Sequence, residues 1–254
     1  MNAFILAAAL ISTQQYHYGH FLEGSETTVF AGNASVLSGC TGEACLVAGL
    51  PAGTPVLVAE EGTEYCRVEA GGAGGWVPTT DLALVSLPVT GGLFQLGITG
   101  LDGSGAPAGE ARLIRGDGSF LACPVELRPF SESGRVDYCI EASEVPAVGL
   151  TGVETALMLS FVYEACGYLN SDILLVATDD ELVPGPEARS VYEAGIFHHV
   201  SSLVLPPELG EDDVVEISTR HTEWTEDGDS LLVSLDETSL VRYVWNGRFF
   251  ELEP

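Results

Sequence analysis

Cys166-Gly167, with His198 and His199 downstream, is the arrangement in this chain that most resembles a nucleophile and its base. A thiol beside an imidazole can cleave an acyl bond, because the base removes the thiol proton and leaves a thiolate to attack the carbonyl. Such a cysteine needs a helix N-terminus or a cationic neighbour to hold it as the anion. Here Cys166 ends a strand-like run and enters a turn, and no long helix follows. Adjacent residues on a strand face opposite sides, so at most one of His198 and His199 can serve it. The expectation is therefore that Cys166 is a buried thiol or a disulfide partner and that the chain has no catalytic residues. Metal chemistry is as thinly supplied. His17 and His20 in YHYGHF lack a third ligand at a convincing spacing, and there is no C-x-x-C. The runs Asp179-Asp180-Glu181, Glu211-Asp212-Asp213 and Glu226-Asp227-Gly228-Asp229 lack the spacing of a calcium loop and read as solvated turns. No cofactor and no metal is expected.

The six cysteines suggest bridges instead. Folding the chain into a hairpin about Ser131 brings Cys123 opposite Cys139, and directly opposed residues at about 4.5–5.5 Å between Cα atoms are within disulfide range. Pro124 marks that strand as an edge. Cys40 and Cys45 flank a short loop that a local bridge would stiffen. Cys66 and Cys166 are left, either free and buried or joined to each other.

Cysteine number, charge and the N-terminus bear on compartment and partners. Ala3–Ile11 is an uncharged apolar run with the length of an export-signal core, far too short to cross a bilayer, so no membrane insertion is expected. It lacks a basic leading segment and a clean cleavage site, and its competing reading is a first β-strand. Export would place the protein in the periplasm or outside the cell. Acidic residues number 37 against nine basic ones, for a net charge of −28. That charge repels nucleic acid phosphates and anionic lipid, so both are excluded as partners, and it favours a neutral or basic one.

The elements that must position these residues are strands. Short apolar runs separated by Gly, Pro and Asp-rich turns recur through the chain, and long crossover helices are absent. The fold class expected is all-β: a small barrel at residues 27–86 after a leader and linker at 1–26, then a larger, sandwich-like antiparallel domain at 92–254. Val85–Gly92 reads as the boundary because Pro88 and paired glycines punctuate it. Strands are expected near Leu93–Thr99, Ala111–Arg115, Phe120–Leu127, Arg135–Glu141, Ala156–Glu164, Asp172–Thr178, Ile196–Leu205, Val214–Glu223, Leu231–Leu235, Leu240–Trp245 and Phe249–Leu252. Only Glu187–Ala194 and Gly152–Met158 read as helical. Asn246-Gly247 signals a two-residue type I′ hairpin.

Within the first domain the order of short motifs is informative. Ser35-Val36-Leu37-Ser38-Gly39-Cys40 is followed by Val47-Ala48-Gly49-Leu50-Pro51-Ala52-Gly53-Thr54-Pro55-Val56, then Tyr65-Cys66-Arg67-Val68, then Gly75-Trp76-Val77. This succession resembles the bacterial SH3-like (SH3b) family, whose blocks often read N-V-R-S-G-P, V-I-G-x-L-x-x-G-T-x-V, W-x-K-V and G-W-V. Alternation predicts that Cys66 and Val68 share the inner face of their strand and that Tyr65 and Arg67 share the outer one. The resemblance implies a binding groove beside Trp76, with Tyr65 and Leu37 as further ligand contacts and a protein or cell-wall peptide as partner. Leu37 replaces the family's arginine and Cys40 its proline, which turns the groove toward apolar contacts. The function expected is an exported, non-catalytic binding or structural protein of the cell envelope. Because SH3b modules often accompany cell-wall peptidases, the alternative is a cell-wall peptide hydrolase using Cys166 with His198 or His199.

Overall fold

The structure is a computed structural model describing residues 21–254 apart from 41–43, 63, 102–106, 128–138, 147, 164–165 and 228–229. The apolar run Ala3–Ile11, His17, His20, the turn at Ser131 and the turn at Gly228 lie outside the described residues.

Alternating apolar residues curl the first six strands around a shared interior. They are β1 (Glu26–Thr28), β2 (Asn33–Leu37), β3 (Leu46–Pro51), β4 (Pro55–Glu60), β5 (Tyr65–Ala70) and β6 (Ala73–Pro78), antiparallel in the order β1-β4-β5-β6-β2-β3. Ala34, Val36, Val56, Val58, Cys66, Val68 and Val77 point inward and are buried, while Leu57, Arg67 and Glu69 between them are exposed. Cys66 and Val68 take the inner face as expected. Gly75 is needed where β6 crosses β2, because a Cβ there would lie 2.5 Å from the Leu37 carbonyl oxygen and 2.5 Å from Val36.

The second sheet is β7 (Val85–Val89), β8 (Gly92–Leu101), β9 (Pro107–Arg115) and β10 (Phe120–Glu126), in the order β10-β9-β8-β7. Val85–Gly92, expected as the boundary between the domains, is strand β7 and its turn. The chain leaves the barrel without a spacer: Leu82 still bridges to Val29, while the Leu84 N–H already donates to the Leu96 carbonyl at 2.7 Å.

Strand β8 is covered on both sides. Phe94 and Leu96 are fully buried and join the large hydrophobic core, which also takes in Ala111, Leu113, Cys123 and Val125 from its own sheet and Ile140, Leu157, Leu159 and Phe161 from the third sheet. Gln95 and Gly97, on the opposite face, meet the barrel. Gln95 is fully buried, and its Nε2 donates to Thr28 Oγ1 at 2.5 Å and to the Val29 carbonyl at 2.9 Å. The Val29 carbonyl can only accept, which fixes the amide orientation. Thr28 Oγ1 lies 2.5 Å from Ser86 Oγ. On β9 opposite Gln95, Arg112 donates to the Phe30 carbonyl at 2.5 Å and lays its guanidinium 3.9 Å over the Phe30 ring. The Phe30 ring fills the space at Gly97, where an added Cβ would come within 2.3 Å of it.

The third sheet runs in sequence order: β11 (Cys139–Glu144), β12 (Thr155–Val162), β13 (Asn170–Ala177), β14 (Leu182–Glu193), β15 (Phe197–Val204), β16 (Val214–Asp227), β17 (Ser230–Trp245) and β18 (Phe250–Leu252). Glu187–Ala194, expected to be helical, falls almost wholly in β14. Gly152–Met158, expected likewise, ends inside β12. Strand β14 pairs with β13 along Leu182–Ser190 and with β15 only at Val191–Glu193. Its register breaks opposite Leu174, where Gly185 and Pro186 stand between the partners of Ile173 and Leu175, and proline cannot donate to a ladder. The strands after β14 fold back, so Trp245, Val215 and Phe250 pack with Leu174, Val176 and Ala156 in a second core. The Trp245 Nε1–H donates to the Thr151 carbonyl at 2.9 Å.

Two further expectations are corrected. Asn246-Gly247 is not a two-residue type I′ turn. Positive φ occurs at Gly247 (90°) but not at Asn246, and the loop closes from the Asn246 N–H to the Phe249 carbonyl. The expected strands Leu231–Leu235 and Leu240–Trp245 are one 16-residue strand. The all-β class with a barrel followed by a larger antiparallel domain holds.

The contact between barrel and second sheet yields a prediction. Gly97→Ala, by overpacking against Phe30, and Gln95→Ala, by stranding the Val29 carbonyl, should each cost about 1–3 kcal/mol in urea unfolding. The exposed control Glu69→Gln should stay within about 0.5 kcal/mol. Wild-type levels of stability in both seam variants would show that the two sheets do not depend on each other.

Candidate functional site

Across the outer face of the barrel, one row of directly paired residues runs over four strands: Arg67 on β5, Trp76 on β6, Leu37 on β2 and Leu46 on β3. Directly opposed side chains on one face have Cβ atoms about 4.5–5.5 Å apart, so Trp76 has Leu37 on one flank and the Arg67 stem on the other. Tyr65 pairs with Pro78, two positions along on the same face, as a diagonal neighbour of Trp76. Tyr65, Trp76 and Leu37 are each half-buried. The structure therefore brings the three expected contact residues onto one surface.

It also adds two that the sequence did not single out. The register of β2 and β3 shifts between Val36 and Leu37, so Ala48 faces Val36 while Leu46 faces Leu37. Val47 is the extra residue of this bulge. Leu46 is 67% and Val47 52% exposed, among the most open large apolar side chains of the described residues. Both stand at the end of the row. Strict alternation would have turned one of them inward, and no local signal announces a bulge that depends on the partner strand. The surroundings are acidic, with Glu60 paired across from Arg67 and Glu64 and Glu69 exposed on or beside β5. Apolar contact flanked by carboxylates suits a neutral or basic ligand.

The cysteines are arranged otherwise than expected. No disulfide is present among the described residues. Cys123 lies on β10 opposite Ala111, in the second sheet, whereas Cys139 lies on β11 opposite Val162, in the third. Their two strands belong to different sheets, so Cys123 and Cys139 are not opposed in a common ladder. Cys40 is an exposed free thiol and is not bridged to Cys45. Cys66 is buried inside the barrel and its Sγ approaches the Gly62 carbonyl at 3.7 Å. Cys166 is exposed in the turn after β12, so neither a Cys66–Cys166 bridge nor a buried Cys166 is found. Burial pushes the Cys66 thiol above its ordinary value. Burial, and to a lesser degree Glu110, pushes Cys123 up to about 12.

His198 and His199 do face opposite sides of β15. His198 sits edge-on between Tyr192, at 5.8 Å, and Trp224, at 4.7 Å between ring centroids. His199 lies 5.7 Å from His221, its cross-strand partner. The Gly167 N–H donates to the Tyr192 carbonyl at 2.8 Å, and Tyr192 pairs with His198, so the Cys166 turn borders the His198 side of the sheet. No hydrogen bond joins Cys166 to either histidine among the described residues. The acidic runs are tied internally. Asp213 accepts from the Thr151 N–H and hydroxyl, Glu211 pairs with Arg242, and Glu181 lies 3.5 Å from Arg248. Among the described residues no three His, Cys, Asp or Glu side chains converge to hold a metal ion. No helix among them is long and apolar enough to cross a membrane.

Thiol chemistry should follow this geometry. At pH 8 the native protein should be alkylated rapidly at Cys40 and Cys166, with Cys66 and Cys123 protected until denaturant is added. At a pKa of about 12 only about one Cys123 in ten thousand is thiolate at that pH. Peptide mapping after a short iodoacetamide pulse reads the order, and fast native labelling of Cys123 would contradict its burial.

Comparison with known proteins places one part of the chain. Residues 31–83 match the family model of the bacterial SH3 domain. The matched stretch begins beside Phe30 and ends at Ala83, two residues before β7, and it contains Leu37, Leu46, Val47, Tyr65 and Trp76. No curated protein and no solved structure matches the chain.

Proposed function

We propose that the protein is an exported, non-catalytic binding protein of the cell envelope or extracellular space. Its barrel takes up an apolar, neutral or basic segment of a protein or cell-wall peptide on the Leu37–Trp76 face. The observation that carries this reading is the direct cross-strand pairing of Trp76 with Leu37, continued by the exposed Leu46 and Val47. Large rigid side chains held by strand pairing lose little entropy on binding and are the usual anchors of interfaces. The match to the bacterial SH3 domain, a binding module associated with cell walls, supports the same reading. Cys66, pointing into the barrel, leaves Tyr65 and Arg67 as the β5 residues available to a ligand.

The second reading, a cell-wall peptide hydrolase, rests on the docking of the Cys166 turn beside Tyr192 and hence near His198. The two readings diverge in one experiment. Binding of purified cell-wall muropeptides to the full chain is followed by calorimetry, and release of cleaved peptides is followed by mass spectrometry. Trp76→Ala should weaken binding about tenfold or more, which is roughly 1.4 kcal/mol, and Leu46→Ser should weaken it in the same direction. Cys166→Ser should change nothing. Cleavage by the wild type that disappears in a folded Cys166→Ser variant would replace the binding protein with the hydrolase. Unchanged affinity in Trp76→Ala would remove the Leu37–Trp76 face from the reading.

A further inference from the structure

Strand β17 has 16 residues, whereas its outer neighbour β18 has 3 and pairs with it only at Tyr243–Trp245. From Leu231 to Val241, β17 is paired with β16 on one side and with no strand on the other among the described residues. On either side of the bulge at Ser234, alternate N–H and C=O groups point outward, which makes the stretch a template for another strand. Natural edges are usually blunted by Lys, Pro or irregular pairing. The outer strand β10 of the second sheet carries Pro124, whereas β17 has no proline and the chain has no Lys; the irregularity of β17 in this stretch is a bulge at Ser234, where the register against β16 shifts between Val233 and Leu235, and Leu235–Val241 is regularly paired. Leu231, Leu232, Val233, Leu240 and Val241 are 53%, 50%, 59%, 58% and 37% exposed. Apolar side chains are thus offered on both faces of an open edge.

Charge decides what fits there. Asp236 and Glu237 stand at the centre of the open stretch, between the two apolar groups. Asp236 is held by Arg220 at 2.6 Å, and Glu237 stands across from His221. The arginines of this half of the chain are already engaged. Arg189 pairs with Glu187 at 2.7 Å, Arg242 with Glu211 and with Glu253 at 3.1 Å, and Arg248 with Glu181 at 3.5 Å. A second copy paired antiparallel over the whole edge would set Asp236 against its own copy with Glu237 beside it. Like charges directly opposed are destabilising, and each copy brings a net charge of −28.

We infer that Leu231–Val241 is a docking edge that receives an extended segment of another protein as an added strand, with basic residues at the segment's centre and apolar residues on either side. Main-chain hydrogen bonds supply the pairing, the apolar flanks cover Leu231–Val233 and Leu240–Val241, and the basic centre meets Glu237. This surface is separate from the Leu37–Trp76 face.

The test uses the full chain and three labelled twelve-residue peptides. One alternates Val and Thr around a central Lys-Lys pair, the second has Glu-Glu at the centre, and the third is the Lys peptide N-methylated at alternate residues. Fluorescence anisotropy should show the Lys peptide binding at least tenfold more tightly than either of the others. Hydrogen exchange should show it protecting amides between Leu231 and Val241. Glu237→Lys should weaken the Lys peptide and strengthen the Glu peptide by about tenfold each, with the urea midpoint unchanged, while Trp76→Ala should leave both alone. Equal binding of the N-methylated peptide, or protection elsewhere, would reduce the contact to unspecific charge attraction and overturn the inference. Protection of the same amides that grows with the concentration of the chain alone would make a second copy the occupant and equally overturn it.

Discussion

A single buried amide, Gln95, holds the two halves of the structure in register. It sits on the face of β8 turned toward the barrel and has no exposed surface. A buried amide in an apolar contact is costly unless its hydrogen atoms find acceptors, and Gln95 finds two on one short piece of backbone, Thr28 Oγ1 and the Val29 carbonyl. Its Oε1 has no hydrogen-bond partner among the described residues. Its cross-strand neighbour Arg112 takes the next carbonyl, that of Phe30. The barrel is gripped at consecutive residues, and the Phe30 ring, wedged at Gly97 under the guanidinium, leaves little freedom to slide.

From that contact the remainder of the architecture follows in layers. The other face of β8 carries Phe94 and Leu96, which belong to one continuous core that also takes in Val36, Val58 and Val68 of the barrel. The third sheet closes that core with Leu157, Leu159 and Phe161 from β12. It then bends at β14, where Gly185 and Pro186 interrupt pairing, and closes a second core on its opposite face with Trp245 and Val215. A sheet that is apolar on both faces at β12 and β13 has to be covered twice. The fold-back of β16 to β18 covers the second face. The cost is a long strand, β17, most of whose outer edge is left uncovered.

What was legible in the sequence divides along physical lines. Strand existence was legible because it depends on local alternation: Val56 and Val58, Cys66 and Val68, and the run around Phe94 all fall where the pattern put them. The outer placement of Tyr65 was legible for the same reason, and that of Trp76 from the resemblance to the SH3b family. Pairing was not. Cys123 and Cys139 looked opposed because neighbouring strands often form hairpins, but Phe94, Leu96 and Leu113 on one side and Leu157 and Phe161 on the other gave β10 and β11 separate sheets. Val85–Gly92 read as a boundary because Pro88 and its glycines punctuate it; it is a strand of the second sheet, and Pro88 sits on the outermost strand of that sheet, where a missing N–H costs little. Glu187–Ala194 has helix-forming residues, and tertiary pairing with β13 overrode that local preference. The bulge that exposes Leu46 and Val47 depends on β2, a strand several residues away, and has no local signature.

The way the barrel is held also determines which of its surfaces can meet a ligand. The grip uses β1, Val29–Ala31 and the turn at Thr79–Asp81, where the Asp81 carbonyl accepts from the Phe30 and Ala31 N–H groups and burial raises the Asp81 carboxyl above its ordinary value. Strands β2, β3 and β6 supply the Leu37–Trp76 row and take no part in the contacts made by Gln95 and Arg112. A ligand on that row meets a surface whose backbone is fixed from behind, so little ordering entropy is lost at the moment of binding. The same rigidity limits what the barrel can recognise. With Gly75 pressed against the Leu37 carbonyl, the spacing between Trp76 and Leu37 cannot widen without breaking the β2–β6 contact. In the proposed binding role, selection among ligands would fall to the more open end of the row, where Leu46 and Val47 stand on a bulge.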